Sequence, residues 1–127
     1  MKILGLNHIT FAVSDMERSL AFYAGALGAE LICRSRRTAY LDLAGIWLAL
    51  NQGPITPPRG YSHLAFTIAD AHFDSFHQQL QTHGITVQAG RERHPDEGRS
   101  LYFSDPDGHQ LELHTKNRDQ RGDYYRR

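Results

Sequence analysis

Apolar and polar positions follow the same order twice along the chain. In the first half, a strand-like segment (LNHITFAV) precedes a segment with apolar residues at helical spacing (MERSLAFYAGAL) and three strand-like segments (AELICR, TAYLDL and IWLAL). The second half repeats this order in YSHLAFTIA, AHFDSFHQQLQTHG, ITVQAG, SLYFSD and HQLELHT. Asp15 and Asp70 stand where helix N-caps are expected, and Gly28 and Gly84 where the helices should end. The pattern predicts an α+β fold made of two βαβββ modules.

The segment between the two halves is typical of a linker. Residues 51–60 (NQGPITPPRG) contain three prolines and two glycines, which disfavour a continued strand or helix. We predict a first module over 1–51, a linker over 52–60, a second module over 61–114 and a polar tail over 115–127. We expect the two modules to lay their sheets side by side and form a concave surface.

The two halves are an internal repeat, and the repeat carries the candidate chemistry. His8 matches His63 at an offset of 55 residues. Near the end of each half, GIWLAL resembles GHQLEL at an offset of 63 residues, so that Glu112 corresponds to Ala49. A pseudo-two-fold arrangement would bring equivalent strands together, and residues far apart in sequence could then converge.

Two equivalent histidines and one carboxylate predict a metal site. The candidate ligands are His8, His63 and Glu112. Two imidazoles and a carboxylate suit a divalent Mn, Fe, Zn or Ni ion, and three protein ligands leave positions open for a substrate. The alternative is that each histidine is a hydrogen-bonded structural residue. We rank His109 and His114 lower as ligands, because we expect them to alternate away from Glu112.

Composition narrows the partners of the protein. The chain has 127 residues and a formal net charge of zero, so no global basic field favours nucleic acid or an anionic membrane surface. No apolar run is long enough to span a bilayer, and the first residues lack the apolar core of a signal peptide. The single cysteine, Cys33, cannot form an internal disulfide. We therefore expect a cytoplasmic protein.

Four motifs resemble one protein family over nearly the whole chain. GLNHITFAVSD, AYLDLAGIWLAL, YSHLAF and SLYFSDPDGHQLELH are similar to the fosfomycin resistance proteins of the vicinal oxygen chelate superfamily, which also includes glyoxalase I and bleomycin-binding proteins. The resemblance implies a homodimer that exchanges modules, with His8 from one chain and His63 and Glu112 from the other. It implies that a divalent ion, Mn(II) before Mg, Zn, Ni or Fe, binds fosfomycin, and K⁺ is a possible further cation. A thiol, or water in one branch, then opens the epoxide.

The resemblance also implies further site residues. Thr10 would hydrogen-bond the substrate during catalysis. Aromatic residues at three positions would line the substrate: Tyr40, Trp47 and Tyr61. The phosphonate would be held by arginines and hydroxyl groups, since a guanidinium matches two phosphonate oxygens. These residues are Arg91, Arg93, Ser100, Tyr102 and Arg121.

Several functions remain open among the relatives. Thr10 favours glutathione as the thiol, with bacillithiol or cysteine as alternatives. The hydrolase branch has a glutamate base near the third strand, where this chain has RSRRTAY and no acid, so we expect a thiol rather than water. Ala49 disfavours a glyoxalase-like isomerase, which would have a fourth ligand there. A metal-free drug-sequestering protein of the bleomycin-resistance type is the non-enzymatic alternative, and the three candidate ligands disfavour it.

Overall fold

Two compact units make up the chain. The computed structural model describes residues 1–88 and 90–127, and these divide into Met1–Pro57 and Pro58–Arg127. Each unit combines one mixed sheet with helices, which confirms the predicted α+β fold class. No helix in the described part of the chain is long and apolar enough to cross a membrane.

The first unit runs strand, helix and three strands. Its elements are β1 (Ile9–Val13), α1 (Met16–Leu20), β2 (Glu30–Arg34), β3 (Thr38–Leu43) and β4 (Ile46–Gln52). The sheet order is β1-β4-β3-β2, in which β1 is parallel to β4 and the other pairs are antiparallel. Asp15 caps α1 as predicted, since its carboxylate accepts from the backbone N–H of Arg18. The helix then widens into π-type turns over Ala21–Ala26.

The second unit repeats the arrangement of strands. Its elements are β5 (Leu64–Thr67), α2 (Phe73–Thr82), β6 (Ser100–Ser104), β7 (Gln110–His114) and α3 (Arg118–Arg126). The sheet order is β5-β7-β6, with β5 parallel to β7 and β6 antiparallel to it. The polar tail thus forms a helix, α3, whose N-terminus is capped by Asn117.

Two local features of the second unit differ from the sequence-based expectation. The segment 85–90, expected as a strand, forms only one bridge between Gln88 and Tyr102, and Ala89 lies outside the described residues. A Cβ at Gly90 would come within 2.6 Å of the Tyr102 ring, so this position requires glycine, a poor strand former. Asp70 does not cap α2, because its carboxylate accepts from the guanidinium of Arg99.

Each sheet has one apolar face and one face with polar or aromatic side chains. In the first unit, Leu41 and Leu48 are buried, whereas Tyr40 and Trp47 are about 40% exposed on the other face. In the second unit, the apolar positions of β6 and β7 alternate with polar side chains that are half-buried or buried, of which Glu112 is 3% exposed. A buried carboxylate requires partners, and those partners define the candidate site.

Candidate metal and anion site

The two histidines of the repeat occupy equivalent places in the two sheets. His8 immediately precedes β1, and His63 immediately precedes β5. Two residues beyond each histidine, Thr10 pairs with Ala49 and Ala65 pairs with Glu112. The register therefore places Ala49 and Glu112 at corresponding positions, as the repeat predicts.

The ring of His63 is oriented toward Glu112. Its Nδ1 lies 2.7 Å from the carbonyl oxygen of Tyr61, which can only accept, so Nδ1 carries a proton. Its Nε2 lies 2.9 Å from Oε1 of Glu112. Two states satisfy both contacts: a doubly protonated ring, or a neutral ring whose Nε2 lone pair and the carboxylate both face a cation. A carbonyl that fixes the far nitrogen of a histidine is a frequent arrangement in metal sites.

The second oxygen of Glu112 is held by groups from neighbouring strands. Oε2 accepts a hydrogen bond from the Ser100 hydroxyl and lies 3.5 Å from both Nη2 of Arg93 and Nδ1 of His114. Burial disfavours the charge of Glu112, but Ser100 and the positive groups around it outweigh burial and hold the pKa of the carboxyl below its usual range. Glu112 is therefore an ionised, acceptor-only group at neutral pH.

His114 lies on the same face as Glu112, contrary to our expectation that it alternates away. Residues two apart in a strand share a face. Burial and then the charge of Arg121 lower the pKa of His114, which is neutral at neutral pH. Its Nε2 donates to the carbonyl of Glu97 at 3.0 Å, and its Nδ1 lies 2.6 Å from the Ser100 hydroxyl. The Ser100 hydroxyl has one proton, so Oε2 of Glu112 and Nδ1 of His114 compete for it.

Two of the three predicted ligands meet within one unit. His63 and Glu112 offer one nitrogen and one oxygen donor, a set that fits a divalent transition metal. His8 belongs to the other unit, where its Nδ1 contacts Oδ1 of Asn7 at 2.6 Å, which leaves Nε2 as the available donor atom. Among the residues that the structure describes, no cluster of three His, Cys, Asp or Glu side chains could hold a metal.

Positive groups with unused donors lie beside Glu112. Arg93 has a side chain only 10% exposed, and its Nη2 contacts the Tyr102 hydroxyl at 2.5 Å. The Tyr102 hydroxyl in turn lies 3.2 Å from that of Tyr61. Nη1 of Arg93 and Nε of Arg121 are buried without a hydrogen-bond partner. Because buried donors are normally paired, these two atoms indicate an anionic ligand.

Two cavities border these groups. One, of about 580 Å³, is lined by Arg91, Arg93, Ser100 and Tyr102 among others. The other, of about 300 Å³, contains Arg121 and borders Glu112 and His114. The predicted phosphonate residues therefore all lie on cavity walls of the second unit.

The aromatic residues predicted in the first unit form a separate group. The Trp47 ring lies 4.5 Å from the His8 ring and 5.1 Å from the Tyr40 ring, between centroids. Thr10, Ala49 and Tyr40 form one row across the sheet. The structure thus gathers His8, Thr10, Tyr40 and Trp47 on the open face of the first sheet.

A buried carboxylate that the sequence analysis missed holds Arg91. Glu97 has a side chain only 8% exposed, and its Oε2 accepts from Nη2 of Arg91 at 2.7 Å and from the Tyr125 hydroxyl at 2.8 Å. These two hydrogen bonds, Arg91 first, lower the pKa of Glu97 to about 2. The motif HPDE could have indicated this, because Glu97 and His94 form a capping box around a short helical turn.

Glu97 is expected to make folding stability depend on acid pH. The pKa of Glu97 is lowered in the folded protein, so its contribution is fully present above the ordinary value of 4.5 and is lost as the pH falls toward about 2. In Glu97→Gln this contribution is missing, so the difference in the free energy of unfolding from the unchanged protein should be largest near about pH 6 and shrink as the pH is lowered. Urea unfolding followed by circular dichroism measures it. A Glu97→Gln difference that does not change with pH would contradict the prediction.

Comparison with known proteins identifies the family of the chain. Residues 5–113 match the model of the Glyoxalase/Bleomycin resistance protein/Dioxygenase superfamily. The chain is 40% identical to the metallothiol transferase FosB of Lysinibacillus sphaericus, over 100% of this chain and 93% of the relative. It is 41% identical to FosB of Staphylococcus saprophyticus, over 98% of this chain and 85% of the relative.

Solved structures place the chain in the same superfamily. One similar structure is a Glu→Gln variant of the fosfomycin resistance protein FosX from Listeria monocytogenes, complexed with Mn(II) and 1S,2S-dihydroxypropylphosphonic acid. It superposes with a TM-score of 0.91 at 34% identity and covers 98% of this chain and 99% of that one. FosX from Mesorhizobium loti has a TM-score of 0.82 at 38% identity, covering 94% and 98%. The chain therefore belongs to the Glyoxalase/Bleomycin resistance protein/Dioxygenase superfamily, in the group that contains the FosB metallothiol transferases and the FosX fosfomycin resistance proteins.

Proposed function

We propose that the protein opens the epoxide of fosfomycin with a low-molecular-weight thiol, in a reaction that depends on a divalent metal, and so confers resistance to the antibiotic. One observation carries the proposal: groups suited to a cation lie beside groups suited to an anion. His63 and Glu112 could bind a cation, and Arg93, which contacts Glu112, has a buried N–H that could bind an anion. Fosfomycin carries its phosphonate on one of the two epoxide carbons, so one small substrate can contact both the cation and the anion-binding groups.

His8, His63 and Glu112 would hold the metal, with Mn(II) favoured. The Listeria FosX structure contains Mn(II), which supports this choice, and K⁺ stays a prediction from the family resemblance. A divalent metal held there supplies Lewis acidity that stabilises negative charge on the epoxide oxygen as its C–O bond breaks. His63 is kept in the required orientation by the carbonyl of Tyr61.

The phosphonate would bind to the donors around Arg93. Nη1 of Arg93 and Nε of Arg121 make no hydrogen bond in the structure. Ser100 and Tyr102 line the same cavity as Arg93, and Arg121 lines the second cavity. Arginine favours this role because its planar group offers paired donors to two oxygens. Thr10 would hydrogen-bond the reacting substrate, while Tyr40, Trp47 and Tyr61 would shield it from water.

We further propose a homodimer in which His8 of one chain completes the pair formed by His63 and Glu112 of the other. Within the described residues, one chain contains no three-ligand cluster. The open face of the first sheet carries His8 together with apolar and aromatic side chains that are partly exposed. A cytoplasmic location, where thiols are kept reduced, fits this proposal.

The nucleophile is proposed to be a thiol because FosB relatives are named metallothiol transferases. Glutathione stays the favoured thiol on the basis of Thr10, ahead of bacillithiol and cysteine. Water is the second candidate, and one observation favours it: the ligand in the Listeria FosX structure is a diol, which addition of water to an epoxide would give. Thr38, in the segment where the hydrolase branch has its glutamate base, donates to the side chain of Asn51.

A panel of nucleophiles tests the proposal. Purified protein with Mn(II) should consume fosfomycin when glutathione, bacillithiol or cysteine is added, and not in buffer alone. The product mixture is measured by phosphorus NMR, which separates thiol adducts from the diol. Protein treated with a chelator should be inactive and recover when Mn(II) is returned. Diol formation at the same rate without any thiol would replace the transferase proposal with a hydrolase.

A further inference from the structure

We propose that Glu97 and Tyr125 are positioning residues that fix the anion-binding donors, with Arg91 acting through them rather than on the substrate. We call Arg91, Glu97 and Tyr125 the clasp. The proposal deepens the proposed function and rests on it for the identity of the anion, but the clasp itself is argued from contacts within the second unit.

The hydrogen bonds of the clasp are complete. The Tyr125 hydroxyl donates its one proton to Oε2 of Glu97 at 2.8 Å. Its oxygen then accepts from Nη2 of Arg91 at 3.1 Å and from Nη2 of Arg121 at 3.4 Å. A phenol has one donor and two acceptor positions, so all of them are used. The Tyr125 residue is 60% exposed, so helix α3 is held to the loop at this point by the hydrogen bonds of the hydroxyl and not by burial of the ring.

The other oxygen of Glu97 stabilises the loop in which it lies. Oε1 accepts from the backbone N–H of His94 at 3.1 Å, which closes the helical turn over Pro95–Glu97. The carboxylate is therefore bonded on one side to its own loop and on the other to helix α3. Because the Glu97 side chain is nearly buried, loss of its charge or of its donors should loosen both segments.

The clasp connects the two segments that carry the unused donors. Arg93 lies in the loop between Arg91 and Glu97, whereas Arg121 lies on α3. The backbone carbonyl of Glu97 also accepts from His114, whose Nδ1 lies 2.6 Å from the Ser100 hydroxyl. A single carboxylate thus sets the relative positions of Arg93 and Arg121 and is linked to Ser100.

This arrangement explains why Arg91 is an unsuitable phosphonate ligand. Nη2 of Arg91 is bonded to Glu97 and Tyr125, and its Nη1 contacts the carbonyl of Glu92 at 3.3 Å. Arg93, by contrast, keeps a buried Nη1 with no hydrogen-bond partner, 3.9 Å from Oε2 of Glu97. The clasp should therefore act on anion binding and leave the chemical step at the epoxide nearly unchanged.

The test compares Tyr125→Phe with Tyr124→Phe. The two residues are neighbours on α3 and the substitution is the same, but Tyr124 meets the loop through its ring, which stacks on His94 at 5.8 Å between centroids. We expect Tyr125→Phe to raise the KM for fosfomycin roughly tenfold, with kcat changed less than about twofold, because hydrogen bonds to charged groups are lost. The inhibition constant of inorganic phosphate should rise by the same factor, and the KM for the thiol should stay the same.

A double-mutant cycle with Glu97→Gln separates positioning from general loss of stability. If the clasp acts as a unit, Tyr125→Phe should add little to the effect of Glu97→Gln on phosphate inhibition. Additive effects, an unchanged KM in Tyr125→Phe, or an equal effect of Tyr124→Phe would overturn the proposal. Calorimetric binding of inorganic phosphate gives the same comparison without turnover, so the clasp can be judged even if the protein does not act on fosfomycin.

Discussion

Glu112→Gln is expected to lower kcat/KM for fosfomycin by about 10³-fold or more, because stabilisation of the departing epoxide oxygen by a metal is worth several kcal/mol and each 1.4 kcal/mol is about tenfold. Glutamine keeps the shape of Glu112 but removes the charge that meets His63 at 2.9 Å. Calorimetric titration with Mn(II) should show weakened binding, and phosphorus NMR gives the rate.

Two controls accompany this variant. Glu112 is nearly buried and contacts Ser100, Arg93 and His114, so thermal unfolding must show that the variant is folded at the assay temperature. Asp74→Asn makes the same change from carboxylate to amide on the exposed part of α2 and should keep full activity. Activity of Glu112→Gln within about twofold of the unchanged protein would exclude Glu112 as a ligand and would remove the basis for the proposed reaction.

Mixing two inactive variants is expected to restore activity. In the proposed dimer, His8→Ala damages one half of each site and Glu112→Gln damages the other half. A mixed dimer then combines one undamaged site with one doubly damaged site. With random exchange, about half of the dimers are mixed, so activity should return to about a quarter of that of the unchanged protein. Co-expression of differently tagged chains, followed by purification on both tags, isolates the mixed dimer for assay.

A matched mixture shows whether the sites are shared in the proposed way. His63→Ala and Glu112→Gln damage the same half of the site, so their mixed dimer has no undamaged site and should stay inactive. Recovery in this second mixture, or its absence in the first when mixed dimers are present, would contradict the sharing of His8 between chains. A site formed within one chain gives no recovery in either mixture.

Much of the fold followed from local patterns in the sequence. Alternating apolar residues placed β3, β4, β6 and β7 within one or two residues of their observed bounds, because these strands each bury one face. The segment 85–90 did not form the expected strand, since alternation alone does not reveal that the Tyr102 ring occupies the space beside Gly90.

The candidate site was predicted only in part. The repeat identified His63 and Glu112, which the structure places in contact. It did not identify Glu97 or Tyr125, because their hydrogen bond joins a loop to a helix 28 residues away and leaves no periodic pattern. We predicted that His114 lies on the opposite face of the strand from Glu112, but the two share a face. The two-residue period of a strand already requires this.

The sequence alone determined most of the repeated order of elements, the family, the two histidines at equivalent places and the glutamate, Glu112, that stands where the first half has Ala49. These features depend on period, spacing and residue type, which are properties of the chain read in one dimension. Only the tertiary structure decided which donors are already used and which are not, so that Arg91 is bonded to Glu97 whereas Arg93 keeps a buried N–H without a partner. The physical reason is that a hydrogen bond depends on the distance and direction between two groups, and folding sets both through contacts between distant segments.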